Sequence, residues 1–355
     1  MVKIGILADL GLPEKIGRTV APALSRELSK AAAGESPWEV EVSQETLPLN
    51  RDGDIPLLEH ACALRNKHGW DYVVYLTDLP RSHAGDPMTC ETNAGAGAVL
   101  VSLPVLGALR LTAKVQRLLT SAITAVHQQT TGRPAASVDH HAPQYATTRR
   151  VSSDDGEDTT YLVHPGRANR WRLLGGMVRS NRPGRLLPAL SSCIAAAVAT
   201  GAFGIFYAAI WNMSDALPPV RLAMISLVVV AALSGWLILH NGLWDKPREA
   251  TEPWRAHADN TATVITVGLS VAAMYHTLWA TLFLIGLAVI EADYLQSQLG
   301  HPVGLSDYVR LSWLAASLGT LAGALGSNFD NDAAIRAATY SRREQQRREL
   351  ADSYA

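Results

Sequence analysis

Charge is scarce in this sequence: Asp, Glu, Lys and Arg make up 18% of its 355 residues, below the roughly 25% usual for soluble domains. A formal net charge of −1 argues against a general polyanion binder, so nucleic acid is not an expected partner. Cysteine is scarce too. Cys62, Cys90 and Cys193 are odd in number and lack metal or redox spacing, which fits a reduced compartment and leaves no thiol metal site to assign. The glycine signatures of cofactor binding are missing. LADLGLPEKIG lacks the Gly-x-Gly-x-x-Gly spacing and no Gly-x-x-x-x-Gly-Lys-Ser/Thr occurs, so dinucleotide or Walker-type phosphate binding is unsupported and the cofactor stays unknown. The apolar run Ile4 to Ala8, interrupted by Asp9, is too short for a cleavable signal.

What the sequence does have is a concentration of long uncharged stretches after Arg185. A bilayer core about 30 Å thick needs ~20 apolar residues in a helix, because lipid offers no partner to unpaired backbone groups. Four stretches within 186–329 meet that demand, at about 186–212, 222–244, 261–290 and 310–329, and they predict a four-helix transmembrane bundle. Arginines and lysines gather before the first stretch, between the second and third (Lys246, Arg248, Arg255), and after the fourth (Arg336, Arg342, Arg343, Arg347, Arg348). Such residues resist translocation, so both termini are expected on the cytoplasmic side of the cell membrane.

Residues 1–127 alternate between strand-like and helix-like segments. VKIGILAD and WDYVVYLTDLP read as buried strands, WEVEVSQETL as a more exposed one and AGAVLVSLPVLGAL as a fourth. EKIGRTVAPALSRELSKAA, IPLLEHACALRNKH and LRLTAKVQRLLTSAITAVHQQ carry helical spacing. This alternation predicts a cytosolic α/β domain with a Rossmann-like or flavodoxin-like parallel sheet. Ligands of such sheets bind beyond the carboxyl ends of strands. Those ends hold Asp9, Thr77, Asp78 and Ser102, with Arg81 just beyond the third strand. Asp9 and Asp78 together suit a hydrated cation or a hydroxylated ligand, and Arg81 an anion; the alternative is that the aspartates merely cap helices or close turns.

Residues 128–165 lack periodicity and read as a flexible linker. The Asp139, His140 and His141 run within it lacks the further ligands a metal site needs. Residues 166–185 read as an amphipathic juxtamembrane segment suited to an anionic leaflet, and 330–355 as a basic cytosolic tail. Within the spans, Gly319 and Gly323, and Gly201 and Gly204 with Ala197 and Thr200, form small-residue faces for close helix packing. His276 sits near the middle of the third stretch, where an ionisable group serves either function or a quiet interhelical hydrogen bond.

The segments GILADLGLPEKI, WDYVVYLTDLP, RANRWRLLGGMVRSNRPGRLLPALS, ATGAFGIFYAAIWNMSDAL and GHPVGLSDYVRLSWLA resemble an actinobacterial family of integral membrane proteins. Members sometimes carry the label methylenetetrahydrofolate dehydrogenase. Enzymes of that kind carry a catalytic Lys and a Pro-Gly-Gly-Val-Gly-Pro-Met-Thr segment, of which this chain echoes only Gly85, Pro87, Met88 and Thr89. The resemblance therefore implies architecture and brings no catalytic residue. Three functions compete: a membrane-tethered binding or regulatory protein with an envelope protein or a second copy as partner, an enzyme using Asp9 and Asp78, and a subunit of an oligomeric transporter or channel.

Overall fold

A computed structural model describes residues 1–31, 37–51, 53–132, 148–152, 158–245 and 253–353. Two compact units divide the chain. The first takes in Met1–Ser180 and returns at Pro247–Ala258 and Tyr340–Ala355; the second holds Asn181–Lys246 and Asp259–Thr339.

The first unit is built on a mixed sheet in the order β2-β1-β3-β6-β5-β8-β7. Strands β1 (Val2–Ala8), β2 (Trp38–Val42), β3 (Tyr72–Thr77) and β6 (Ala98–Ser102) run parallel. Alternation along them feeds two cores. Ile4, Ile6, Val74 and Leu76 face one side, against helices α1 (Leu12–Ala31) and α3 (Leu111–Thr131). Leu7, Val73 and Tyr75 face the other, against α2 (Leu57–His68) and Trp70. Burial on both faces explains why β3 and β6 are continuous apolar runs. Gly5 of β1 is required by packing, since a Cβ there would collide with the Trp70 ring.

The expectation of a purely parallel sheet needs correcting. Strand β5 (Asp86–Asn93) pairs antiparallel with β6, the short β4 (Ser82–His83) pairs with β5, and β8 (Thr159–Val163) and β7 (Arg149–Ser152) continue the sheet beyond β5. The segment expected as a linker thus contributes two strands. Their sequences, RRVS and TTYLV, carry too few apolar residues for a strand signal because an edge hairpin needs only one packed face. Asp139, His140 and His141 lie outside the described residues.

Helix α4 (Arg167–Asn181) covers the expected juxtamembrane segment. It packs on the turn after β6, with Leu173 and Met177 buried and Gly176 so close to Pro104 that a Cβ would strike its carbonyl. Within the first unit, Arg172 Nε donates to Val105 O at 3.0 Å and Arg179 to Ala108 O.

The second unit is helical: α5 (Leu186–Ala189), α6 (Ser191–Phe206), α7 (Ala208–Ala216), α8 (Pro219–His240), most of α9 (Pro253–Val289), α10 (Ala292–Leu299), α11 (Leu305–Gly326) and α12 (Asp332–Thr339). The last helix of the chain, α13 (Arg342–Ser353), belongs to the first unit. Among the described residues, α8 and α9 are long and apolar enough to cross a membrane, and a third crossing is reached if the pair 167–189 and 191–206, bent by 60°, counts as one span. The first hydrophobic stretch is broken because Leu190 and Tyr207 leave helical geometry. The third is one unbroken helix of 37 residues. The fourth is α11, whose first turns carry Asp307 and Arg310; it is not among the qualifying helices, so four spans are not established by length and composition.

Candidate functional site

The order β2-β1-β3 places the reversal of connection between β1 and β3, where the carboxyl ends of strands open a crevice. Asp9 follows β1, and Thr77 and Asp78 close β3. These three come together. Asp9 is 2% exposed; its Oδ1 accepts from the Tyr75 hydroxyl at 2.7 Å and its Oδ2 from the Thr77 hydroxyl at 2.6 Å. Ser102 pairs with Thr77 in the sheet, but its hydroxyl donates to Leu79 O at 2.7 Å. Arg81 is turned to Glu91, with which it forms a largely buried ion pair, so its charge is met inside the chain.

The crevice is occupied by the protein itself. Arg343 of α13 enters it with its side chain 7% exposed, Nε 3.0 Å from Asp9 Oδ1, an ion pair without the alignment of a hydrogen bond. Its Nη2 donates to the Leu47 carbonyl and, at 3.2 Å, to the Tyr75 oxygen. Behind it Glu344 holds Arg347 at 2.6 Å and Arg348 at 3.0 Å, and Arg348 lies over the Tyr340 ring at 4.2 Å. Arg255, at the start of α9, pairs with Asp54 at 3.6 Å. A stack of buried charges thus joins the strand ends to the chain's last helix.

The electrostatics follow from burial. Desolvation raises the Asp9 carboxyl above its ordinary range, against the opposing pull of Arg343 and its hydroxyl donors. Asp78 is pushed up to about 8, by burial first and then by the Asp9 charge, with Ser341 and Arg343 only partly offsetting it. Its Oδ1 is buried and has no hydrogen-bond partner, so a proton there is the cheapest way to neutralise it. Glu344 goes the other way. Burial opposes its charge, yet Arg347 and Arg348 hold it down at about 2. Burial and then Asp9 push the Tyr75 phenol up, keeping it a donor.

Tyr75, Ser341, Arg343 and Glu344 are the site residues that sequence reading does not find. Tyr75 carries a faint signal, as a hydroxyl within the buried run YVVYLT. The arginines of α13 read as a topology marker, and nothing local says that one of them returns to β1.

In the second unit, His276 is exposed on α9 with Nδ1 2.7 Å from Ala272 O; Tyr275 beside it points inward. Its hydroxyl lies 2.8 Å from Ser226 and 3.0 Å from Ser317, and Trp313 Nε1 donates to Ser226 at 2.6 Å, so the hydroxyl cluster ties α8, α9 and α11 together. Gly319 lies against the Ala197 carbonyl and the Gly201 nitrogen, Gly323 against Cys193, and Gly204 against Ala315. Close approach of α6 and α11 rests on these glycines. Among the described residues one group has metal-ligand chemistry: Asp215, His301 and Asp307, with ligand atoms within 4.8 Å of one another. Arg310 stands 3.8 Å from Asp215 and Asp307 accepts from the Gly304 N–H at 2.8 Å, so much of that charge is already answered. The Pro302 carbonyl and then Asp215 raise the His301 imidazole's pKa.

The fold and site define a class, an α/β unit with a self-occupied strand-end crevice joined to a helical unit holding two or three helices able to span a membrane. No protein-family model, curated protein or solved structure matches the chain.

Proposed function

We propose that this is a multi-pass protein of the cell membrane whose cytosolic α/β unit is a regulatory module that binds cationic groups at the carboxyl end of its sheet. The observation that carries the reading is Arg343 in the crevice. The Asp9 carboxylate, the Tyr75 phenol and the Leu47 carbonyl hold the guanidinium, so the ligand class is one that presents a guanidinium or amine, such as an arginine of a partner protein. Helix α13 then acts as the resident ligand that an external one displaces. The test is to end the chain after Thr339 and offer residues 340–353 as a peptide: thermal stabilisation of the truncated protein, absent with an Arg343→Ala peptide, is expected. No stabilisation at millimolar peptide, with the truncated protein still folded, would remove the reading.

Parity supports the finer membrane topology. Residues 253–258 and 340–353 belong to the same compact unit as the sheet, so they share its side of the membrane. On this reading an even number of crossings lies between Ser180 and Pro253, and again between Ala258 and Tyr340. If α8 crosses, the broken stretch 186–206 crosses with it; if α9 crosses, α11 does too. Four spans with both termini inside agree with the arginine distribution.

An enzymatic reading keeps one specific support, the proton that Asp78 holds up to about pH 8 on a carboxyl with an unpaired oxygen. Asp9, fully engaged by Tyr75, Thr77 and Arg343, is a poor second catalytic group.

A further inference from the structure

Two segments far apart in sequence meet on one face of the first unit. The Ala108–Leu109–Arg110 tip before α3 lies against α4, through Ala108 beside Gly175 and the Arg179 bond to Ala108 O. Leu109 is 77% exposed and Trp171 68%, the two most exposed large apolar side chains of this unit. On the same two segments Arg110, Arg117, Arg167 and Arg170 are exposed as well. Residues 98–132 and 159–190 contain no acidic residue, and the acidic side chain that reaches α3 from α1, Glu27, bonds Gln116 and Thr120. Arg110 holds a left-handed backbone, φ 51°, at the N-terminal boundary of α3, a conformation that costs a non-glycine residue energy. Burial, followed by Arg172, Arg117 and Arg179, depresses the Lys114 pKa. Positive charge is crowded here.

We infer that this face docks on the anionic surface of the membrane, with Leu109 and Trp171 entering the headgroup layer and Arg110, Arg117, Arg167 and Arg170 pairing with lipid phosphates. The combination of exposed apolar tips with cations selects lipid over a soluble polyanion, since a soluble polyanion has no use for the tips. Continuity in sequence adds to it: Trp171 lies 15 residues before Leu186, where the apolar stretch opens. The inference rests on the membrane reading above and extends it from the juxtamembrane helix to the head of α3.

The test uses the full chain in nanodiscs, in a Cys62→Ser background that leaves only the buried Cys90 and Cys193. An environment-sensitive fluorophore is placed at Leu109→Cys, with Glu39→Cys on the exposed side of β2 as the reference position. In discs containing phosphatidylglycerol the Leu109 label should shift to the blue and be quenched by doxyl lipids at least about twofold more than in neutral phosphatidylcholine. Arg110→Glu with Arg117→Glu, or salt of about 0.5 M, should abolish the difference, and the Glu39 label should stay in water throughout. Equal behaviour of the two labels in anionic discs overturns the inference. So does a Leu109 label that responds to soluble polyphosphate and not to lipid, which would assign the face to a soluble acidic partner. Alkaline carbonate extraction, run in parallel, tests membrane insertion itself and separates failure of that reading from failure of this one.

Discussion

Asp78 shares a buried crevice with a second carboxylate, and a single guanidinium faces the pair, so its proton decides the local charge. The sign of the pH dependence follows. A carboxyl whose pKa rises from 3.8 to about 8 on folding contributes stability that is complete below pH 3.8 and is lost as pH climbs through 8. Each unit of displacement is worth about 1.4 kcal/mol. Hydrogen-exchange protection of Val73–Leu76 should therefore fall between pH 5 and about 9, and Asp78→Asn should flatten that profile; an unchanged slope in the variant would count against the assignment. Glu344, held at about 2, works in the opposite sense and loses its contribution only in acid. At this scale Asp9, Thr77 and Asp78 are legible from sequence because a buried strand announces its own end. Arg343 is not, since its partner Asp9 lies more than three hundred residues away and no local pattern encodes such a pairing.

Among elements, α4 depends on one glycine. Gly176→Ala would drive a methyl into the Pro104 carbonyl, with no flexible side chain to yield, so the helix must lift from the turn. Overpacking of this kind costs about 1–3 kcal/mol, and faster proteolysis within 166–181 at unchanged protection of β3 is the expected readout. Strands β1, β3 and β6 and helices α1, α2 and α3 are readable because each buries a long periodic apolar face. The strands β5, β7 and β8 are not: DPMTCETN, RRVS and TTYLV join the sheet through backbone pairing and show little apolar rhythm. Hydropathy also smooths over the breaks at Leu190 and Tyr207, because composition does not register a single residue leaving helical φ and ψ.

For the whole molecule, the parity of crossings gives an expectation that hydropathy alone does not. A reporter cysteine at Glu39 and one at Gln345, both outside the crevice contacts, should be protected from impermeant reagent in intact cells, and one at Tyr294 should react. Labelling of Gln345 but not Glu39 would break the even count. The helix that closes the crevice also has a temporal meaning, because residues 340–353 are synthesised after the sheet and after α8, α9 and α11. Until then Asp9 is without its arginine. On the proposed topology, a chain that missed one crossing would deliver α13 to the wrong side and leave Asp9 without Arg343. On that topology, completion of the first unit would report on insertion of the second.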